Sequence, residues 1–343
     1  MKTIYSPAHL THSPHEEFEG GRLTPAVEVP ERAECVLRRI AERKLGPVIP
    51  PAAFDEAAML QVHDRDFVAL LTEAHSAWSA IYGDNAAPAI ASAWPARSMK
   101  LSRQGDIESR LGSFSFDTAT PILRGTWDAA RAAVDVALTG AQTVKEEKRS
   151  AFALTRPPGH HASSDLFGGY CYLNNAAIAA DWLARQSLRI ALLDVDYHHG
   201  NGSQDIFYRR SDVLFISIHA DPSFAYPHFT GFADELGEGD GAGSNLNLPL
   251  PRNTDWNSYR EALEVAKNRL WSFAPDVLLI SLGLDTFELD PIAGLGLGRA
   301  DYLRLGEHLA DLKIPTLFIF EGGYNLDALG EITVNVLEAF EGH

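Results

Sequence analysis

Cysteine, positive charge and long apolar runs are all scarce in this 343-residue chain. Only Cys35 and Cys171 are present, too few for a disulfide framework and without the paired spacing of a thiolate metal cluster. Lysine and arginine number 29 against 46 acidic residues, a formal charge of −17. A chain so poor in cations is not built to hold phosphate backbones, which argues against a nucleic-acid binder. The same balance suits a cationic substrate, and it equally suits plain solubility. No run approaches the ~20 apolar residues of a membrane span, and residues 1–10 carry no apolar core of signal-peptide length. The expectation is a cytoplasmic protein that contacts neither membrane nor nucleic acid. The remaining composition, 45% apolar and 22% charged, is that of a globular chain. The length fits one large α/β domain, residues 1–343, with no internal repeat and no linker to divide it.

Short apolar runs at residues 151–154, 190–194, 213–218, 277–282 and 316–320 show little alternation, as strands buried on both faces do. Helical stripes lie between them. Ala33, Val36, Leu37, Ile40 and Ala41 come after Pro30, a good first-turn residue. Thr126 is placed to cap a helix carrying Trp127, Ala130, Val134 and Leu138, with Gly140 ending it. Further stripes are Tyr259, Ala262, Leu263, Ala266 and Leu270, then Tyr302, Leu305, Leu309 and Leu312. Alternating strands and helices predict a central, mostly parallel sheet covered on both faces, with ligands at the carboxyl ends of the strands. Residues 84–121 lack sustained periodicity and read as a long loop, either functional or a contact arm.

The carboxyl end of each apolar run is therefore where chemistry is sought. After 151–154 comes Arg156-Pro157-Pro158-Gly159-His160-His161, a stiff turn presenting two imidazoles. After 190–194 comes Val195-Asp196-Tyr197-His198-His199-Gly200-Asn201-Gly202, and in extended chain Asp194, Asp196 and His198 share a face. Two carboxylates and an imidazole aimed together call for a divalent cation. The run at 277–282 leads into Gly283-Leu284-Asp285, a third candidate ligand, and the last run into Glu321-Gly322-Gly323-Tyr324, where two glycines suggest a mobile tyrosine. Asp196, His198 and Asp285 with an open position form a catalytic zinc arrangement. A histidine is then the base for a bound water, and the tyrosine donates to the developing oxyanion. This equipment hydrolyses amides without a covalent intermediate. No Gly-x-Ser-x-Gly elbow is present and neither cysteine has an evident base partner.

These four motifs resemble those of the histone deacetylase superfamily, of arginase/deacetylase fold, in order along the chain. The sequence most resembles the bacterial acetylpolyamine amidohydrolases, through the Glu-rich segment before Gly20-Gly21, Gly105-Asp106-Ile107-Glu108, Asp221-Pro222 and Tyr226-Pro227-His228-Phe229. The resemblance implies zinc on Asp196, His198 and Asp285, with iron or cobalt as substitutes. It implies His161 as general base, His160 as an electrostatic assistant oriented by Asp194, and Tyr324 as the group polarising the acetyl carbonyl. It further implies a structural potassium near Asp194, Asp196 and His198, matched by Ser217 and Ile218, and a substrate tunnel walled by Gly169, Tyr170 and Tyr226. Asn201 stands where some members carry an aspartate behind His161.

Glu16, Glu17, Glu19, Asp106 and Glu108 supply candidate negative charge for an acetylated polyamine, Glu17 and Glu108 first. The resemblance puts the 84–121 loop at a homodimer interface that narrows the partner's entrance. The leading expectation is a deacetylase of acetylated polyamines or similar small amines. The alternatives are the same chemistry on acetyl-lysine peptides or foreign amides, a two-metal ureohydrolase and a non-catalytic sensor. Gly200 and Phe287 stand where a second metal would need carboxylates, and retention of every proposed ligand argues against a sensor.

Overall fold

The computed structural model describes residues 1–342, with the side chain of Glu19 excepted. Eight parallel strands form one sheet: β1 (Lys2–Ile4), β4 (Val48–Ile49), β5 (Ala151–Ala153), β6 (Ile190–Asp194), β7 (Val213–Ala220), β8 (Asn245–Leu250), β9 (Val277–Leu282) and β10 (Thr316–Phe320). A separate antiparallel hairpin pairs β2 (Glu16–Glu19) with β3 (Arg22–Pro25). The order across the sheet is β4-β1-β5-β10-β9-β6-β7-β8. This is a single α/β domain.

The sheet separates two cores, and alternate residues of each strand serve one or the other. Leu192, Leu279, Leu317 and Ile319 face one layer; Leu193, Ile280, Phe318 and Phe320 face the opposite one. Because both faces are covered, no polar alternation survives, which is why the runs read as continuously apolar. The first layer holds α3 (Arg65–Tyr82), α4 (Ile107–Phe114), α5 (Thr126–Glu147) and α6 (Asn175–Ala184). The second holds α1 (Glu31–Arg43), α8 (Trp256–Phe273), α9 (Asp301–Ala310) and α10 (Leu326–Gly342). Two short helices, α2 (Ala57–Leu60) and α7 (Asn201–Phe207), complete the set. Among the described residues, no helix is long and apolar enough to cross a membrane.

Three expectations need correcting. Gly140 does not end its helix: α5 runs on to Glu147, and a Cβ at Gly140 would lie 2.6 Å from Leu317 Cδ1. The glycine brings helix close to sheet. Thr126 is not the cap; Gly125 is, while the Thr126 hydroxyl accepts from the Leu123 amide at 2.8 Å. Residues 84–121 are not all loop, because Ile107, Leu111 and Phe114 have helical spacing and bury α4 against α3.

Candidate active site

β5, β10, β9 and β6 are neighbours in the sheet although they lie far apart in the chain. The four loops that leave their carboxyl ends therefore meet, at the place where open α/β sheets bind ligands. Asp194 Oδ1 accepts from the Asp196 amide at 3.1 Å, and Asp196 Oδ1 accepts from the His198 amide at 2.9 Å. The turn thus orients its own carboxylates. Asp285 Oδ1 accepts from the Tyr197 amide at 2.8 Å, and Asp196 Oδ2 accepts from the Gly322 amide at 2.9 Å. His198 Nδ1 points at Asp285 Oδ2, 3.0 Å away, and at Asp196 Oδ1, 3.2 Å away.

One ligand atom each from Asp196, His198 and Asp285 lies within 4.8 Å of the others. Both carboxylates are completely buried, a costly arrangement unless a cation compensates it. The surrounding backbone is cut back to make room. A Cβ at Gly322 would lie 2.5 Å from Oδ2 of both aspartates, and one at Gly283 would lie 2.0 Å from Asp196 Oδ2. These residues fit a metal ion.

His160 and His161 reach the cluster from the Pro-Pro-Gly turn after β5. His160 Nδ1 lies 3.0 Å from Asp194 Oδ2, and His161 Nδ1 lies 2.6 Å from Asn201 Oδ1. Burial works against a charge on His160, yet Asp196 and Asp194 outweigh it and carry its pKa up to about 10. Burial opposes charge on His198 as well, and the carboxylates of Asp196 and Asp285 carry it up to about 9. His161 moves the opposite way, well below the usual histidine value, through burial and the charges on His160 and His198. Burial and the adjacent Asp196 push the Asp285 carboxyl up to about 7. A cation at the cluster would favour the ionised carboxylates and a neutral His198.

Tyr324 is more firmly held than the two glycines imply. Its amide donates to Asp290 Oδ2 at 2.7 Å, and the Arg32 guanidinium lies 4.6 Å from its ring centroid. Arg32 also donates to the Gly323 and Glu321 carbonyls, and Glu28 joins Arg32 to Arg156 in a buried ion cluster. The Glu321 carboxylate accepts from the Gly159 amide at 2.6 Å and the His160 amide at 3.2 Å, tying the last strand to the histidine turn. Glu28, Arg32 and Asp290 carry no motif of their own. Glu321 was visible only as the first letter of Glu-Gly-Gly-Tyr.

A cavity of about 170 Å³ opens onto this centre, lined by Glu17, Asp117, Ala119, His161, Gly169, Tyr170, His198, Tyr226, Ile292 and Tyr324. The expected walls Gly169, Tyr170 and Tyr226 are there. Gly169 is at φ +56°, and a Cβ there would meet the His161 ring at 2.3 Å. Of the proposed rim acids, Glu17 lies on the wall. Glu108 is exposed on the first turn of α4 and does not line this cavity. Glu16 is exposed, Asp106 caps α4 through the Ser109 amide, and the side chain of Glu19 lies outside the described residues. Ser217 pairs with Asp194 across β6 and β7; its hydroxyl lies 2.8 Å from His219 Nδ1, and Ile218 comes directly after it, buried.

Comparison with known proteins identifies the family and the fold. The histone deacetylase domain family matches residues 26–340. Acetylpolyamine amidohydrolase 1 of Pseudomonas aeruginosa is 48% identical, covering 100% of this chain and 99% of that protein. The acetylpolyamine amidohydrolase of Mycoplana ramosa is 41% identical, covering 100% of both chains. The crystal structure of acetylpolyamine aminohydrolase from Burkholderia pseudomallei superposes with a TM-score of 0.95 at 37% identity, covering 99% of this chain and 98% of that one. The chain thus belongs to the histone deacetylase family, and is an enzyme that hydrolyses amides as a deacetylase.

Proposed function

We propose that the enzyme is a zinc-dependent deacetylase of acetylated polyamines or similar small cationic amines, releasing acetate and the free amine. The observation that carries this reading is the narrow cavity, which joins the Asp196, His198 and Asp285 cluster to a wall bearing Glu17. Full-length likeness to proteins named acetylpolyamine amidohydrolases supports it. Bound by Asp196, His198 and Asp285, zinc would supply Lewis acidity to the substrate carbonyl and to a water.

The side chains divide the remaining work. The Asn201 amide oxygen only accepts hydrogen bonds, so His161 Nδ1 carries the proton and Nε2 keeps a lone pair. With its pKa held low, His161 stays neutral and takes a proton from the water, later giving it to the leaving amine. His160, charged beside Asp194, adds positive potential. Burial pushes the Tyr324 phenol well above its ordinary pKa, so it remains protonated and donates to the carbonyl oxygen as that atom gains charge. Glu17 attracts the ammonium end.

In the same reading, a potassium ion is held near Asp194, Asp196 and His198 by Ser217 and Ile218. Two subunits meet through residues 84–121, which brings Glu108 to the partner's entrance. The two free, buried cysteines suit the reducing cytoplasm. A turnover panel tests the substrate class: zinc-loaded enzyme with acetylputrescine, acetylspermidine, an acetyl-lysine peptide and a neutral aryl acetamide. The acetylated polyamines are expected to lead in kcat/KM. A lysine peptide at the top would replace the substrate assignment, and no acetate from any of the four would overturn the hydrolase reading.

A further inference from the structure

Asp117 closes the 84–121 segment at the wall of the cavity, and its carboxylate serves four donors. Oδ2 accepts from the Gly169 amide at 2.6 Å and from the Tyr226 hydroxyl at 2.7 Å. Oδ1 accepts from the Ala119 amide and the Thr120 hydroxyl, both at 3.1 Å. Thr120 Oγ1 in turn accepts from the Tyr170 amide at 2.9 Å. One short turn thus holds Gly169 and Tyr170, from the loop after β5, and Tyr226, from the loop after β7.

A carboxylate offers about four acceptor positions, and here all four are taken within the protein. Asp117 therefore has no free lone pair for a substrate ammonium unless one of these bonds breaks. What it does have is control of width. The Tyr226 ring lies 5.0 Å from the His161 ring and 6.0 Å from that of His198, beside the reacting centre. Loops at strand ends keep their spacing only as far as bonds across them allow.

We propose that Asp117 and Tyr226 form a clamp that sets the bore of the cavity and selects slender amides by width rather than by charge. Both are positioning residues, and the inference deepens the small-amide reading on which it rests.

The test uses Tyr226→Phe, which removes only a hydroxyl, with Asp117→Asn and the double variant. Substrates are acetylputrescine, its neutral isostere N-pentylacetamide and a naphthyl acetamide. In Tyr226→Phe the kcat/KM ratio of the naphthyl to the pentyl amide is expected to rise about five- to tenfold, the effect of one hydrogen bond. The change should fall mainly on KM. The double variant should shift the ratio less than the two single changes combined, because they remove one shared bond. Hydrogen exchange should quicken at residues 167–172 in Asp117→Asn and at 223–230 in Tyr226→Phe.

Unchanged ratios together with unchanged exchange would overturn the clamp. So would an Asp117→Asn variant that loses acetylputrescine turnover while sparing the equally slender neutral isostere, since Asp117 would then act through charge. If the wild type hydrolyses none of the amides, the functional reading falls, and the exchange measurement by itself decides the clamp.

Discussion

Tyr324 illustrates how much of this site is support rather than chemistry. The phenol is one group, yet the Asp290 carboxylate, the Arg32 guanidinium and, behind it, Glu28 hold it in place. Removing the hydroxyl alone leaves that support intact. Tyr324→Phe should lower kcat about 10²- to 10³-fold, or ~3–4 kcal/mol in the barrier, as loss of one oxyanion donor does. The metal content after loading with zinc, measured by elemental analysis, should match that of the wild type. A variant with wild-type kcat would remove the phenol from the mechanism. The residues proposed to react were conspicuous along the chain because histidine and aspartate pairs stand at the ends of apolar strands. The supporting ones were not: a lone Arg32 or Asp290 looks like any surface charge until folding buries it beside its partner.

At the level of elements, several helices depend on missing side chains to reach their positions. Gly306 in α9 faces α10 so closely that a Cβ would lie 2.3 Å from the Val336 carbonyl oxygen and 2.9 Å from Ala339 Cβ. Alanine favours a helix interior by up to ~1 kcal/mol over glycine, so an unhindered replacement would stabilise. Here the obstacle is backbone, which does not rotate aside. Gly306→Ala should therefore destabilise by about 1–3 kcal/mol, the usual range for overpacking, read as a lower urea midpoint. An unchanged or higher midpoint would mean that the two helices part at little cost. At Gly140 the obstacle is instead a side chain, Leu317 Cδ1 at 2.6 Å, and a glycine at such a helix–sheet contact resembles, along the chain, a glycine at a helix end.

Across the whole molecule, the buried Glu28, Arg32 and Arg156 cluster joins α1 to the histidine turn after β5. Burial favours protonation of Glu28, but the two arginines outweigh it and hold the carboxyl below its ordinary 4.5. A pKa lower in the folded than in the unfolded chain contributes stability that is full above the unfolded value and fades as pH falls through the folded one. Glu28→Gln should cost about 3–5 kcal/mol at pH 7, the range for breaking a buried pair. The gap from wild type in urea unfolding should narrow below about pH 4.5. A gap constant from pH 7 to pH 3 would show that the charge of Glu28 is not what stabilises the fold.

Local chemistry was written in the chain: apolar runs buried on both faces, helical stripes, and the residue types that end each central strand. Those depend on neighbours in sequence, since burial pattern and turn stiffness act over a few residues. Three-dimensional packing decided which strand ends meet. Asp285 reaches His198 only because β9 lies beside β6, and Glu321 reaches Gly159 only because β10 lies beside β5. It also decided that Glu17 lines the cavity while Glu108 does not, and that Asp117 ties Gly169 to Tyr226. These bonds link residues from 52 to 162 positions apart, and their partners are set by the buried surface of the whole sheet rather than by spacing along the chain.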